Sequence, residues 1–161
     1  MRLEAIDSET GKLIFLEAEN LTVQNIEELN STEIPESLLK SSIDNLNISA
    51  DAKSMLYRIT YITVKAGNII IKLGKKILDI VISLFNSFPE AGFGLILGAI
   101  LGILIGTIPV VGAVLGSTAI ALLTALGFTL GIKEDIHNKS LAREIAKANK
   151  KFDGIKGQLN A

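Results

Sequence analysis

From Ala91 to Ile132 the chain runs for 42 residues without a formal charge, its only polar side chains being Thr107, Ser117, Thr118, Thr124 and Thr129. A single helix on a water-exposed domain cannot hide such a stretch, so the expected solvent is lipid. Phe93–Ile108 and Val110–Ile132 read as two helices of about 24 and 34 Å, at 1.5 Å per residue, against a hydrocarbon core of about 30 Å. The turn between them is Thr107-Ile-Pro-Val-Val-Gly112, where Pro109 breaks the helix and Gly112 permits the reversal. The second helix is long enough to span. The first is slightly short and the turn is apolar, so a shallow or re-entrant hairpin stands beside a full crossing.

Charge outside this run is divided by position. Residues 1–51 hold eleven acids against Arg2, Lys12 and Lys40, whereas residues 52–161 hold thirteen Lys and Arg against six acids. The net charge of -1 therefore conceals an acidic head and a basic remainder. Lys65, Lys72, Lys75 and Lys76 precede the hairpin, and Lys133, Lys139, Arg143, Lys147, Lys150 and Lys151 follow it. By the positive-inside rule both flanks and both termini belong in the cytoplasm, giving a multi-pass protein of the inner (plasma) membrane. The opening residues lack a charged segment followed by an apolar one, so no cleavable signal is expected.

Four divisions follow. Residues 1–49 form an acidic head, in which Leu3–Ile6 and Leu13–Leu16 flank the turn-rich Asp7–Lys12 as a small β-hairpin. A short helix is expected after Ser31-Thr32, with Pro35 and Glu36 in its first turn. Residues 50–89 read as one long amphipathic helix capped by Ser49 and stopped by Pro89. At 100° per residue it carries Arg58, Lys65, Asn68, Lys72, Lys76, Asp79, Ser83 and Asn86 in one stripe. Residues 90–132 are the hairpin. Residues 133–161 are a basic helix and tail, in which Ile136, Leu141, Ile145, Ala148 and Phe152 recur at helical spacing. The fold class expected is a mainly α membrane protein: long amphipathic helix, two-helix transmembrane hairpin, C-terminal amphipathic helix and a small N-terminal β-hairpin.

Gly94, Gly98, Gly102 and Gly106 recur every fourth residue and leave one helix face bare, while Ser117, Thr124 and Gly131, seven apart, give the other helix a small-residue stripe. In lipid such faces let backbones approach closely. They close the hairpin on itself or pack it between subunits, with Gly67 and Gly74 as a further notch for a crossing helix. Several function classes are set aside. There is no cysteine and a single histidine, His137, so thiolate chemistry and histidine-based metal sites or triads are not expected. No acid pair, phosphate loop or nucleophile motif stands out. The chain is read as a non-enzyme without catalytic, cofactor or metal residues, and the basic tail lacks the aromatic interleaving of nucleic-acid binders.

An apolar hairpin flanked by amphipathic helices resembles, in layout, the membrane-inserting hairpin of colicin-type pore-forming domains. The Gly94-to-Gly106 spacing is similar to that of glycine-zipper hairpins in small bacterial membrane effectors and holin-like proteins. The likeness covers residues 50–152 and departs from the colicin pattern in lacking the larger helical shell. It implies a homo-oligomer that inserts in the bilayer and perforates or perturbs it, as a toxin, phage-related or defence effector and ion channel would. Arg58, Lys65, Lys72 and Lys76 would then face the lumen or vestibule. The alternative is a non-conducting anchor or scaffold that presents the acidic head to a cytoplasmic protein partner.

Overall fold

Leu3, Ala5 and Leu16 alternate with polar or exposed neighbours, the period of two expected of strands with one covered face. In a computed structural model describing residues 1–127 and 138–159, they lie on β1 (Arg2–Ile6) and β2 (Leu13–Glu17), an antiparallel hairpin. Its turn is held by Asp7 Oδ1, which accepts from the amides of Thr10 at 3.1 Å and Glu9 at 2.8 Å. Those two amides hold the Asp7 carboxyl below its ordinary pKa.

Thr22 and Asn25 form a reciprocal capping box that starts α1 (Val23–Asn30), a helix absent from the sequence reading of this acidic segment. α2 (Glu36–Asp44) follows Pro35. Ser49 caps α3 (Ala50–Thr60) by accepting from the Ala52 amide.

The helix expected over residues 50–89 is not continuous. Ile62, Thr63, Val64, Ile69, Ile70 and Ile71 are β-branched and suit a pleated surface better than a helix interior. Gly67, at φ 59°, opens a two-residue turn, and β3 (Val64–Ala66) pairs with β4 (Ile69–Ile71) around it. Helix resumes as α4 (Leu73–Ser87) and ends before Pro89. The final strand, β5 (Gln158–Leu159), pairs with β2. The sheet order is β4-β3-β1-β2-β5, every pairing antiparallel, and it joins strands from both ends and the middle of the chain. The fold class is thus mixed α/β and not a mainly α membrane protein.

The apolar run forms α5 (Phe93–Thr107) and α6 (Pro109–Ala125), with only Ile108 between them and Pro109 at the first helical position. At 1.5 Å per residue they are about 23 and 26 Å long, short of a hydrocarbon core of about 30 Å. Among the described residues no helix is long and apolar enough to cross a membrane. This overturns the expected transmembrane hairpin, its two crossings and the inner-membrane, multi-pass localisation; with them goes the pore or channel. The physical reason is that an all-round apolar helix also suits the centre of a core. α5 packs against α4, α6 and α7 (Lys139–Lys150), and Ile96, Leu97, Ile100, Leu101 and Leu104 are fully buried. α6 packs on α3 and β1, and Ala113 O accepts from the Ser8 amide at 2.8 Å, tying the N-terminal turn to the hairpin. The expected end of the second helix at Ile132, together with Thr129, Gly131 and His137, lies outside the described residues.

Candidate functional site

α7 has one side that carries all its charges and one apolar side, so it must lie on the core with its charges outward. Asn138 caps it by accepting from the Ser140 and Leu141 amides, and Leu141, Ile145 and Ala148 are buried. Four-residue spacing then puts Arg143, Lys147 and Lys151 in one row. Opposite stands α4, whose Lys76, Asp79, Ile80, Ser83, Leu84 and Ser87 share the facing side. Between the two helices is a cleft of about 610 Å³, whose lining also includes Phe88 and Glu33.

The floor of this cleft is built by a polar clamp. Lys76 is 6% exposed and Asp79 2%, the only charged side chains so deeply buried among the described residues. Both reach to the loop between α1 and α2. Lys76 Nζ donates to Ser31 O at 2.8 Å, while the Asp79 carboxylate accepts from the successive amides of Glu33 at 3.1 Å and Ile34 at 2.9 Å. Burial, and then the nearby Lys151 ammonium, lower the Lys76 pKa below its ordinary value; Asp79, Glu33 and Glu28 oppose the shift. Lys76 is therefore engaged in holding the loop, and the cations turned toward the opening are those of α7.

Of these, Lys147 pairs with Glu144 at 3.3 Å, and Arg143 Nη2 donates to Ser140 Oγ at 3.4 Å. Higher on the α4 wall, the buried Ser83 hydroxyl has no hydrogen-bond partner among the described residues. A buried polar atom left open costs free energy unless something completes it. The cleft thus offers guanidinium and ammonium donors on one wall, a hydroxyl and the apolar Ile80, Leu84 and Phe88 on the other. Among the described residues no group of three or more His, Asp or Glu is placed to hold a metal ion.

The residues singled out from the sequence are distributed differently. Arg58 is exposed in the last turn of α3, Lys65 is exposed on β3, Lys72 joins β4 to α4, and only Lys76 belongs to the cleft. They occupy different elements because the β3–β4 hairpin interrupts their helix. Gly94 and Gly98 are buried on α5, Gly102 is half-buried, and Gly106 is exposed with open space where a Cβ would stand. Ser117 is half-buried and Thr124 exposed on α6. Gly67 serves the β3–β4 turn, and Gly74 lies against the Ile59 carbonyl at the end of α3. The sequence carried one usable signal for the cleft: Lys76, Asp79 and Ser83 share a stripe within α4, and Arg143, Lys147 and Lys151 share one along α7 and its C-terminal cap. That the stripes face each other was not readable from either helix alone.

Comparison of the chain with protein-family models, with curated proteins and with solved structures gives no match.

Proposed function

We propose that this protein binds a small anionic molecule with an apolar body in the cleft between α4 and α7. The observation that carries the reading is the pairing of the Arg143, Lys147 and Lys151 row with an apolar wall of Ile80, Leu84 and Phe88 across one opening. Carboxylate, sulfonate or phosphate would be met by charge-assisted hydrogen bonds from α7, each contributing about 1.5–3 kcal/mol. The apolar body would leave water against α4. Ser83 supplies a hydroxyl for a polar atom of the ligand against the α4 wall. The fixed engagement of Lys76 with Ser31 and of Asp79 with two amides favours binding over chemistry, since the buried ionisable groups already have structural partners.

Anilinonaphthalene sulfonate tests this, with uncharged phenylnaphthylamine as its neutral analogue. Arg143→Glu combined with Lys147→Glu alters two exposed positions whose loss should leave folding within about 0.5 kcal/mol. The expected result is a fall in sulfonate affinity of about a hundredfold, one factor of ten per reversed charge, with the neutral analogue unaffected. Equal sulfonate affinity for the native chain and the double variant would place the probe elsewhere and remove the proposal.

A further inference from the structure

The sheet has a second face. Leu3, Ala5, Leu16, Val64, Ala66 and Ile71 point into the core, so the residues between them point away from it. On that outward side Ile6 is 56%, Leu13 51% and Ile70 55% exposed, an apolar content that a solvated strand face does not need. Phe15 is half-buried beneath the Arg2 guanidinium, 4.0 Å from the ring centroid.

The strand registers order this face. Ile70 is paired with Lys65, Lys65 with Glu4, and Glu4 with Phe15, so one straight row crosses β4, β3, β1 and β2. Its sequence is apolar, cationic, anionic, apolar. Turned about a two-fold axis lying in the face, along the strands and between β3 and β1, the row falls on its own complement. Glu4 of one copy then meets Lys65 of the other, and Ile70 meets Phe15 with the Arg2 side chain that lies over it, each contact occurring twice. Self-complementarity of one patch is the condition for an isologous dimer. From this we infer that a second copy of the chain docks face to face on the outer side of the sheet.

The charges argue for this occupant over others. Glu17 is already paired with the Met1 ammonium at 3.0 Å and Arg2 lies over Phe15, so Glu4 and Lys65 form a balanced pair at the centre of the face. An acidic peptide, a nucleic acid or an anionic surface meets repulsion from one as well as attraction from the other, whereas a rotated copy satisfies both. Strand-edge pairing is also obstructed at β4. The Asn30 side chain occupies that edge like a short strand, donating to Ile70 O at 3.0 Å and accepting from the Lys72 amide at 2.8 Å. Two right-twisted sheets stack at about 10 Å with strands inclined by about 30°, which leaves the central row in contact.

Sedimentation velocity on the full chain reads the inference directly. The native chain should be a dimer at micromolar concentration, and Glu4→Lys alone and Lys65→Glu alone should each weaken association at least about tenfold. An equimolar mixture of the two variants should return to dimer, because each reversed charge then faces an opposite one across the interface. Within each chain the Glu4–Lys65 neighbours stay like-charged in the mixture, so a defect of folding would not be rescued by mixing. A monomeric native chain, a dimer indifferent to both substitutions, or two folded variants that fail to restore the dimer when mixed would each overturn the inference.

Discussion

Gly74→Ala is expected to lower the melting temperature by about 6–12 °C, corresponding to about 3 kcal/mol at 2–4 °C per kcal/mol for a chain of this size. Gly74 opens the second residue of α4 where that helix meets the end of α3. Its amide donates to Ile62 O at 3.0 Å, and a Cβ there would overlap the carbonyl oxygen of Ile59 and lie 2.7 Å from its carbonyl carbon. The obstacle is backbone, which cannot rotate aside as a side chain does. α3 must therefore move relative to α4, and α3 also supports α6. The same substitution at Gly116, in the middle of α6, meets nothing within 4 Å and should instead stabilise by about 0.5–1 kcal/mol, the helix-propensity gain of Ala over Gly. Thermal melts of the two variants side by side check both signs. Equal effects would mean that the α3–α4 crossing is not as described.

Asp79→Ala should cost about 3–5 kcal/mol, among the largest losses available to a single change outside the apolar core. Its carboxylate is the sole described acceptor for two successive part-buried amides, and its charge is the first of three that oppose the downward shift of the Lys76 pKa. Removing it strands both amides and leaves Lys76 with a less favourable charged state. The pH dependence follows from linkage. Between the lowered pKa of Lys76 in the fold and its ordinary value of 10.5, the unfolded chain binds more protons than the folded one, so stability rises with pH across that window. Loss of Asp79 lowers the folded pKa further and widens the window downward. The deficit of Asp79→Ala, measured by urea unfolding at a series of pH values, should therefore be greatest near neutrality and shrink toward pH 10.5. A deficit that grows with pH would contradict the clamp.

Legibility of the fold varied with the range over which its causes act. Leu3–Ile6 and Leu13–Leu16 are readable as strands because alternation and the Asp7–Lys12 turn are local, and the Ser49 cap and the buried series Leu141, Ile145, Ala148 are local as well. β3 and β4 are not, since three-residue strands are shorter than one helical repeat. Arg58, Lys65, Lys72 and Lys76 fit a helical stripe by spacing while Gly67 breaks the helix between them. The charge-free run misled for a different reason. Its composition states only that water must be excluded; it does not state what excludes it. In the fold that task falls to α4 and α7 around α5 and to α3 and β1 around α6, most of them distant in sequence from the helix they cover, and burial of this kind leaves no periodicity within α5 itself. The cleft is illegible on the same ground, because α4 and α7 meet across more than fifty intervening residues.

One sheet joins the acidic head to the β3–β4 hairpin in the middle of the chain. Leu3 and Ala66 are direct antiparallel partners, both turned into the core, and the chain contains no cysteine of its own. Opposed residues in such a pair have Cα atoms about 4.5–5.5 Å apart, within the range a disulfide accepts. Leu3→Cys combined with Ala66→Cys, oxidised in the native state and mapped by mass spectrometry of the monomeric fraction, should give one intrachain bond between the two positions. A control with Leu3→Cys and Arg58→Cys, whose second residue is exposed at the end of α3, should remain reduced. Free thiols in the first variant, or equal oxidation of both, would contradict a fold in which the head and the middle of the chain share one sheet.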